Sequence, residues 1–154
     1  IKKKIGYYSP AMTNKFKGRH TVENMLISGI TDSIGLYTIP TDIQKRIVKQ
    51  WLIILNLHDL KDTYFNNLSS GKQRLVMTAR AMVKHPPILI LDEPTTGMDD
   101  ESAALLVTLV NKIAHETNTA ILFVSHRKEP HLEPKSIYTL EKTCSGSIGS
   151  TTAT

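Results

Sequence analysis

The sequence predicts an α/β fold: a parallel sheet with helices packed on it and a helical subdomain inserted between its strands. Three observations carry this. Two short, continuous apolar runs, residues 88–91 ("ILIL") and 120–124 ("AILFV"), have strand length, and a long amphipathic pattern separates them. Strand, helix, strand at that spacing is a βαβ unit, whose two strands run parallel. An earlier strand pattern, residues 4–8, is divided from this pair by residues 20–85, whose patterning is mainly helical.

Each element follows in order. Residues 4–8 read as a short strand ended by Ser9-Pro10. Residues 11–20 are polar and lysine-rich and read as a loop. Residues 21–28 read as a short helix with Glu23 in the first turn, where the helix dipole favours an acid. Residues 29–40, "GITDSIGLYTIP", mix Gly, Pro and polar residues without a period and read as a loop. Thr41 opens a clearer helix ending near Asn56. Thr41 and Gln44 have capping-box spacing, and Ile43, Ile47, Trp51, Ile54 and Leu55 share one face.

A third helix is expected over 70–84. Ser70 and Gln73 repeat the capping-box spacing, and Leu75, Val76, Ala79, Met82 and Val83 give an apolar face. His85-Pro86-Pro87 stops it. The runs 88–91 and 120–124 read as strands buried on both faces. Between them Asp99 or Asp100 caps a long helix with inner face Ala103, Leu106, Val107, Val110, Ile113 and Ala114. Residues 136–140 read as a further strand. Residues 144–154, rich in Ser, Thr and Gly, read as a disordered tail. There is no internal repeat.

Composition bounds the function. The chain has 154 residues, enough for one domain with a sizeable core, and its 40% apolar and 21% charged residues are ordinary for a globular protein. No apolar run approaches the length of a membrane span. The net charge of +5 permits contact with nucleic acid or anionic lipid without demanding it. Residues 2–4, all lysine, read as a solvated end. A single cysteine, Cys144, excludes an internal disulfide and a multi-thiolate metal site, which fits a reducing, cytosolic setting. The six histidines show no HxxxH spacing. The chain starts at Ile1 rather than Met and shows no signal peptide, which reads as a fragment or a processed chain.

In a parallel sheet, ligands collect at the carboxyl ends of the strands. Asp92-Glu93-Pro94 follows the first apolar run, and Ser125-His126 follows the second. Adjacent carboxylates at a strand end can divide labour: one holds Mg²⁺ directly or through water, the other polarises an attacking water. A nearby histidine can hydrogen-bond a phosphate oxygen or that water. Ser69-Ser70-Gly71 stands at a helix start, where backbone N–H groups and the dipole suit an anion. Singly, each feature has a plainer explanation: a solvated turn, a structural histidine, a helix cap. Their order and strand placement together favour a site.

The combination resembles the ATP-binding-cassette ATPases. "LSSGKQR" resembles their signature motif, usually LSGGQ followed by QR-like residues. "ILILDEP" resembles the Walker B strand with its adjoining catalytic glutamate, "TTGMDD" the D-loop, "LFVSH" the switch-histidine strand and "IGYYSP" the strand leading to the Q-loop. The match runs in order across nearly the whole chain. "LISGITDSIGLY" and "MVKHP" are more narrowly similar to tandem cassettes named for molybdate transport, and suggest the second cassette of such a chain.

This resemblance implies a P-loop NTPase-like core forming the C-terminal part of one cassette. Residues 1–19 would be the Q-loop strand and loop, 20–85 the helical subdomain with the signature, 86–142 the core with Walker B, D-loop and switch histidine, and 143–154 a flexible tail. It implies ATP and Mg²⁺ as ligands. Asp92 would support Mg²⁺, Glu93 would activate water, and His126 would sense the γ-phosphate. Ser69, Ser70, Gly71 and Lys72 would face nucleotide held by a partner cassette, with Gly97, Met98 and Asp99 along the seam between the two. The implied partners are a second cassette domain and a transmembrane permease, with no nucleic acid, in a cytoplasmic protein peripheral to the inner membrane face.

The departures are specific. Pro10 stands where the Q-loop glutamine is expected, Ser70 replaces a glycine and Lys72 a glutamine of the signature. No GxxxxGK[ST] occurs in the chain, so its backbone cradle and lysine are expected before Ile1 and the chain alone is expected to be inactive. Two other functions compete with a transporter ATPase. One is a soluble cassette ATPase acting on ribosomes or DNA, although no sustained heptads mark the coiled coil of the DNA-repair branch. The other is a non-catalytic interaction module.

Overall fold

The computed structural model describes residues 4–13, 15–16, 18–35, 38–144 and 146–153. Lys2 and Lys3, expected as a solvated end, lie outside the described residues, as do single positions of the expected loops and tail. Three strands form a parallel sheet in the order β1 (Ile5–Tyr8), β2 (Ile88–Asp92), β3 (Ala120–Val124). Between β1 and β2 lie α1 (Pro10–Thr13), α2 (Val22–Thr31), α3 (Asp42–Ile54) and α4 (Ser70–Met82). Helix α5 (Asp100–Glu116) makes the crossover from β2 to β3, as the βαβ pattern requires. A separate antiparallel ribbon, β4 (Ser136–Thr143) and β5 (Gly146–Ala153), ends the described chain.

Helix α4 is the hub. From Leu75 to Met82 every residue is buried, and it packs on α2, on β1 and β2, and on α5. Gly29 lets α2 come close: a Cβ there would strike the Arg80 carbonyl. The Arg80 side chain is buried at this crossing and hydrogen-bonded. Its Nε donates to Ser28 Oγ at 3.0 Å, its Nη2 donates to the Ser33 carbonyl at 2.7 Å, and its guanidinium lies 4.9 Å from the Phe16 ring centre. Burial lowers its pKa from the ordinary arginine value, with Asp32 opposing. A buried cation is tolerated where it is hydrogen-bonded, as Nε and Nη2 are here.

Several expectations are corrected. Pro10, expected only to end the strand, and residues 11–13 of the expected loop form a helical turn, α1, in which the proline takes a first helical position. Helix α2 runs through Gly29 to Thr31, three residues past its expected end, because the close contact with α4 needs glycine rather than a stop there. The Thr41–Gln44 capping box of α3 forms as expected, but its buried face is Val48, Trp51 and Leu52, followed by Leu55. Ile43 and Ile54 are exposed, at 69% and 47%. The stripe is rotated about one residue from the expected one.

Helix α4 is capped by Ser69, whose Oγ accepts from the Lys72 N–H, and it ends at Met82. The expected Ser70–Gln73 box does not form, because the Gln73 amide donates instead to the carbonyls of Phe65 and Leu68. In α5 the cap is Asp99. Leu106, Val107, Leu109 and Val110 are buried, and Ala103, Ile113 and Ala114 only partly.

The sheet is covered on one face only. Leu89, Leu91 and Tyr8 are fully buried, whereas the outward residues Ile88, Leu122, Val124 and Tyr7 are 41–56% exposed. Buried and exposed positions alternate with the period of two that a one-sided sheet demands. The strands are therefore not buried on both faces, since the helices gather into one core cluster with the inner row.

The further strand expected at 136–140 extends to Thr143 and pairs with β5, not with the parallel sheet. The expected tail, 144–154, contains β5 instead of disorder: its Thr and Ile positions find cross-strand partners, Tyr138 opposite Thr151 and Glu141 opposite Ile148. Among the described residues, no helix is long and apolar enough to cross a membrane.

The one-sided sheet gives a direct test. Leu89→Ala, at 0% exposure, is expected to cost about 2–5 kcal/mol in denaturant unfolding. Leu122→Ala, on the open face, is expected to cost within about 0.5 kcal/mol. Equal losses would contradict the assignment of faces.

Candidate active site

The β2–β3 register fixes the strand-end residues. Asp92 is paired with Val124, and the ladder continues one residue further, with the Glu93 N–H donating to the Val124 carbonyl at 2.9 Å. Alternation puts Asp92 on the same face as Ile88 and Ile90, where it is half-buried. Glu93 then leaves the strand in a left-handed conformation, with φ of +48°. That is uncommon for a residue with a Cβ and is held here by neighbours. Its Oε2 accepts from Thr96 Oγ1 at 2.7 Å. Its Oε1 is buried without a hydrogen bond, and His126 Nε2 lies 3.5 Å away, within ion-pair range. The carboxylate is 16% exposed and the imidazole 94%. Asp92, Glu93 and His126 thus occupy one edge of one sheet.

The start of α4 meets the loop before α5 rather than this carboxylate pair. A Cβ on Gly71 would lie 3.1 Å from Asp99 Oδ2 and 3.5 Å from Met98 Cα, so the helix start sits close against Asp99. Asp99 caps α5, accepting from the Ser102 N–H and the Ser102 hydroxyl, each at 2.9 Å. The bond from the Ser102 N–H, then that from its hydroxyl, hold the Asp99 carboxyl below the usual aspartate range, with the Lys72 charge adding to them. Ser69, Ser70 and Lys72 are exposed. Pro10, in the expected Q-loop position, lines a cleft of about 380 Å³ together with Ala11, Thr13, Ser70, Gln73 and Arg74.

Sequence patterning assigns no role to Thr95 or Glu129, and marks Ser125 only as the residue before His126. Glu129 Oε1 accepts from Thr95 Oγ1 at 2.7 Å, from Ser125 Oγ at 3.1 Å and from Arg127 Nε at 3.0 Å. Burial pushes the Glu129 carboxyl upward, but the hydrogen bonds from Thr95, Arg127 and Ser125 outweigh it and hold the group below the usual glutamate range. No periodicity or strand end marks Glu129. Its only sequence signal is an acid three residues after His126 in a polar loop.

Among the described residues no group of three or more His, Cys, Asp or Glu side chains could hold a metal ion by itself. Mg²⁺ takes one or two carboxylates and completes its shell with water and substrate phosphates, so Asp92 is the strand-end carboxylate whose chemistry would suit it. The orphaned Oε1 of Glu93 likewise leaves one strong acceptor free for a water.

A parallel sheet with two carboxylates and a histidine at its strand ends, joined to a helical insertion with a glycine at a helix start, defines an α/β protein with a candidate ligand site at one sheet edge. The sequence profile described as ABC transporter matches residues 1–96, and the chain belongs to that family. It is 44% identical over 130 residues to the ABC transporter ATP-binding protein ModF of Escherichia coli, covering 84% of this chain and 26% of that protein. It is 32% identical over 125 residues to the zinc uptake system ATP-binding protein ZurA of Listeria innocua, covering 80% of this chain and 48% of that one. The chain therefore spans about a quarter to a half of the length of these curated relatives.

Among solved structures, cbiO1 from Clostridium perfringens superposes with a TM-score of 0.67 at 24% identity, over 89% of this chain and 53% of that one. The ATP-binding cassette MJ0796 bound to ADP and Pi gives 0.66 at 24% identity, over 80% and 53%. These likenesses establish the P-loop NTPase-like fold.

Asp99 provides the test of the helix-start geometry. Its depressed pKa means that its charge-dependent cap is present above the ordinary value of 3.8 and is lost as pH falls through the lower folded value. An NMR titration is expected to place the Asp99 midpoint below 3.8, and Ser102→Ala to raise it only part of the way, because the backbone donor remains. A midpoint unmoved by Ser102→Ala would contradict the cap.

Proposed function

We propose that this chain supplies the catalytic strand ends, signature helix and switch histidine of a transporter ATPase, in a cassette pair that couples ATP hydrolysis to the movement of a separate permease. The observation that carries this is the Glu93 carboxylate: buried, with Oε1 free of hydrogen bonds and His126 Nε2 at 3.5 Å, at the carboxyl end of a parallel strand in a member of the ABC transporter family.

In this reading Asp92 holds Mg²⁺ directly or through water, and the ion, when bound, neutralises charge on the phosphates. Glu93 Oε1 accepts a hydrogen bond from the attacking water and orients it, while Thr96 keeps the other carboxylate oxygen in place. His126, exposed and adjacent, donates to a phosphate oxygen and reports its presence. Ser69, Ser70, Gly71 and Lys72 face nucleotide held by a second cassette, and Asp99 lies on the seam between them. The phosphate-cradling GxxxxGK[ST] sequence does not occur in these residues, so the grip on the β- and γ-phosphates comes from outside them.

Cargo choice also lies outside them. In this reading the permease, not these parts, selects what is carried. The working place of the protein is the cytoplasmic side of a membrane, beside its permease.

Two outcomes are expected. The 154-residue chain alone turns over ATP at background rate; robust turnover free of contaminating ATPase would oppose the reading. In the ATP-hydrolysing protein that contains this chain, Glu93→Gln lowers kcat about 100-fold or more while ATP affinity stays within about threefold, because water activation is lost and binding is not. Unchanged hydrolysis in that variant would remove Glu93 from its role.

A further inference from the structure

We propose that Glu129 is a positioning residue: it ties the loop after β2 to the loop after β3 and so sets the approach of Glu93 to His126. This rests on the roles given above to Glu93 and His126.

The argument is geometric. The Glu129 side chain is 2% exposed, and one oxygen, Oε1, accepts all three donors. Thr95, 1% exposed, is two residues past Glu93; Ser125 directly precedes His126, and Arg127 directly follows it. A single carboxylate therefore gathers one loop beside its candidate base and the other on both sides of its candidate histidine. Hydrogen bonds to an ionised acceptor are stronger than neutral ones, and a carboxylate with several donors is well satisfied in a buried place. Arg127 adds a second tie, its N–H donating to Ser125 Oγ at 3.2 Å.

His126 itself projects into solvent, 94% exposed, so the position of its ring follows from the backbone at 125–127 more than from packing around the ring. Glu93 is similarly held from its own loop by Thr96. What fixes the two loops relative to each other past the end of the β2–β3 ladder is the Thr95–Glu129–Ser125 tie.

Two measurements decide this, and they fail separately. On the 154-residue chain, hydrogen exchange is expected to quicken in Glu129→Gln at the amides of both loops, Thr96 and Met98 on one side and Arg127 on the other, while α2–α4 amides keep their protection. Quickening confined to 127–129 would overturn the proposal, whatever the chain's activity. In the ATP-hydrolysing protein, Glu129→Gln is expected to lower kcat about tenfold with KM for ATP within about twofold.

Thr95→Val is expected to behave like Glu129→Gln and Thr95→Ser like the parent, which keeps the test open if Glu129→Gln folds poorly. Added to His126→Ala, Glu129→Gln is expected to cost less than about twofold more, since it acts through the same contact. A fully additive loss, or a lower melting temperature with kcat unchanged, would reduce Glu129 to a structural residue. Turnover untouched by His126→Ala would instead count against the functional reading and leave the exchange result to decide the tie.

Discussion

The parallel pairing of β2 with β3 is the constraint on which the rest depends. Pairing from Ile88–Ala120 to Asp92–Val124, extended by the Glu93 N–H on the Val124 carbonyl, brings both strands to an end at the same height. Glu93 and His126 lie 33 residues apart in sequence, by their numbers, yet 3.5 Å apart in space. A one-residue slip would move Asp92 to the helix-covered face and separate Glu93 from His126, because side chains alternate with a period of two. Helix α5 makes the pairing possible by returning the chain to the starting edge of the sheet.

Helix α4 joins this edge to the inserted helices. It is buried along most of its length, clasped to α2 through Gly29 and the Arg80–Ser28–Ser33 bonds, and begins against Asp99. The loop from Glu93 to Asp99 consequently has two neighbours: the start of α4 at its far end, and the β3 loop at its near end through Glu129. A displacement of the inserted helices relative to the sheet would be felt at Gly71 and Asp99 first, and would reach Glu93 through a loop of only seven residues, Glu93 to Asp99.

What was legible in the sequence was whatever depended on strong local patterns. The apolar runs at 88–91 and 120–124, the Thr41–Gln44 cap and the order of the strand-end acids and histidine all emerge from spacing alone, and spacing narrows the α5 cap to Asp99 or Asp100. What was not legible depended on distant partners. Gly29 reads as a helix stop unless the closeness of α4 is known. Gln73 fits a capping box until Phe65 and Leu68 offer carbonyls. The apolar strands look two-sided because composition cannot say which face the helices cover. The Ser, Thr and Gly of residues 146–153 look disordered until β4 supplies a register. Glu129 was invisible for the same reason, since its meaning lies in Thr95, 34 residues away.

The central claim is that this sheet edge is where a metal-bound triphosphate meets the chain. The most direct measurement is paramagnetic broadening by Mn²⁺·ATP of NMR signals from the 154-residue chain, which reads weak binding without turnover. The account predicts early loss of the Asp92 and Glu93 amide and His126 ring signals, with those of Asp59 and Asp62 spared. Broadening at Asp59 and Asp62 while the strand-end signals persist would contradict it.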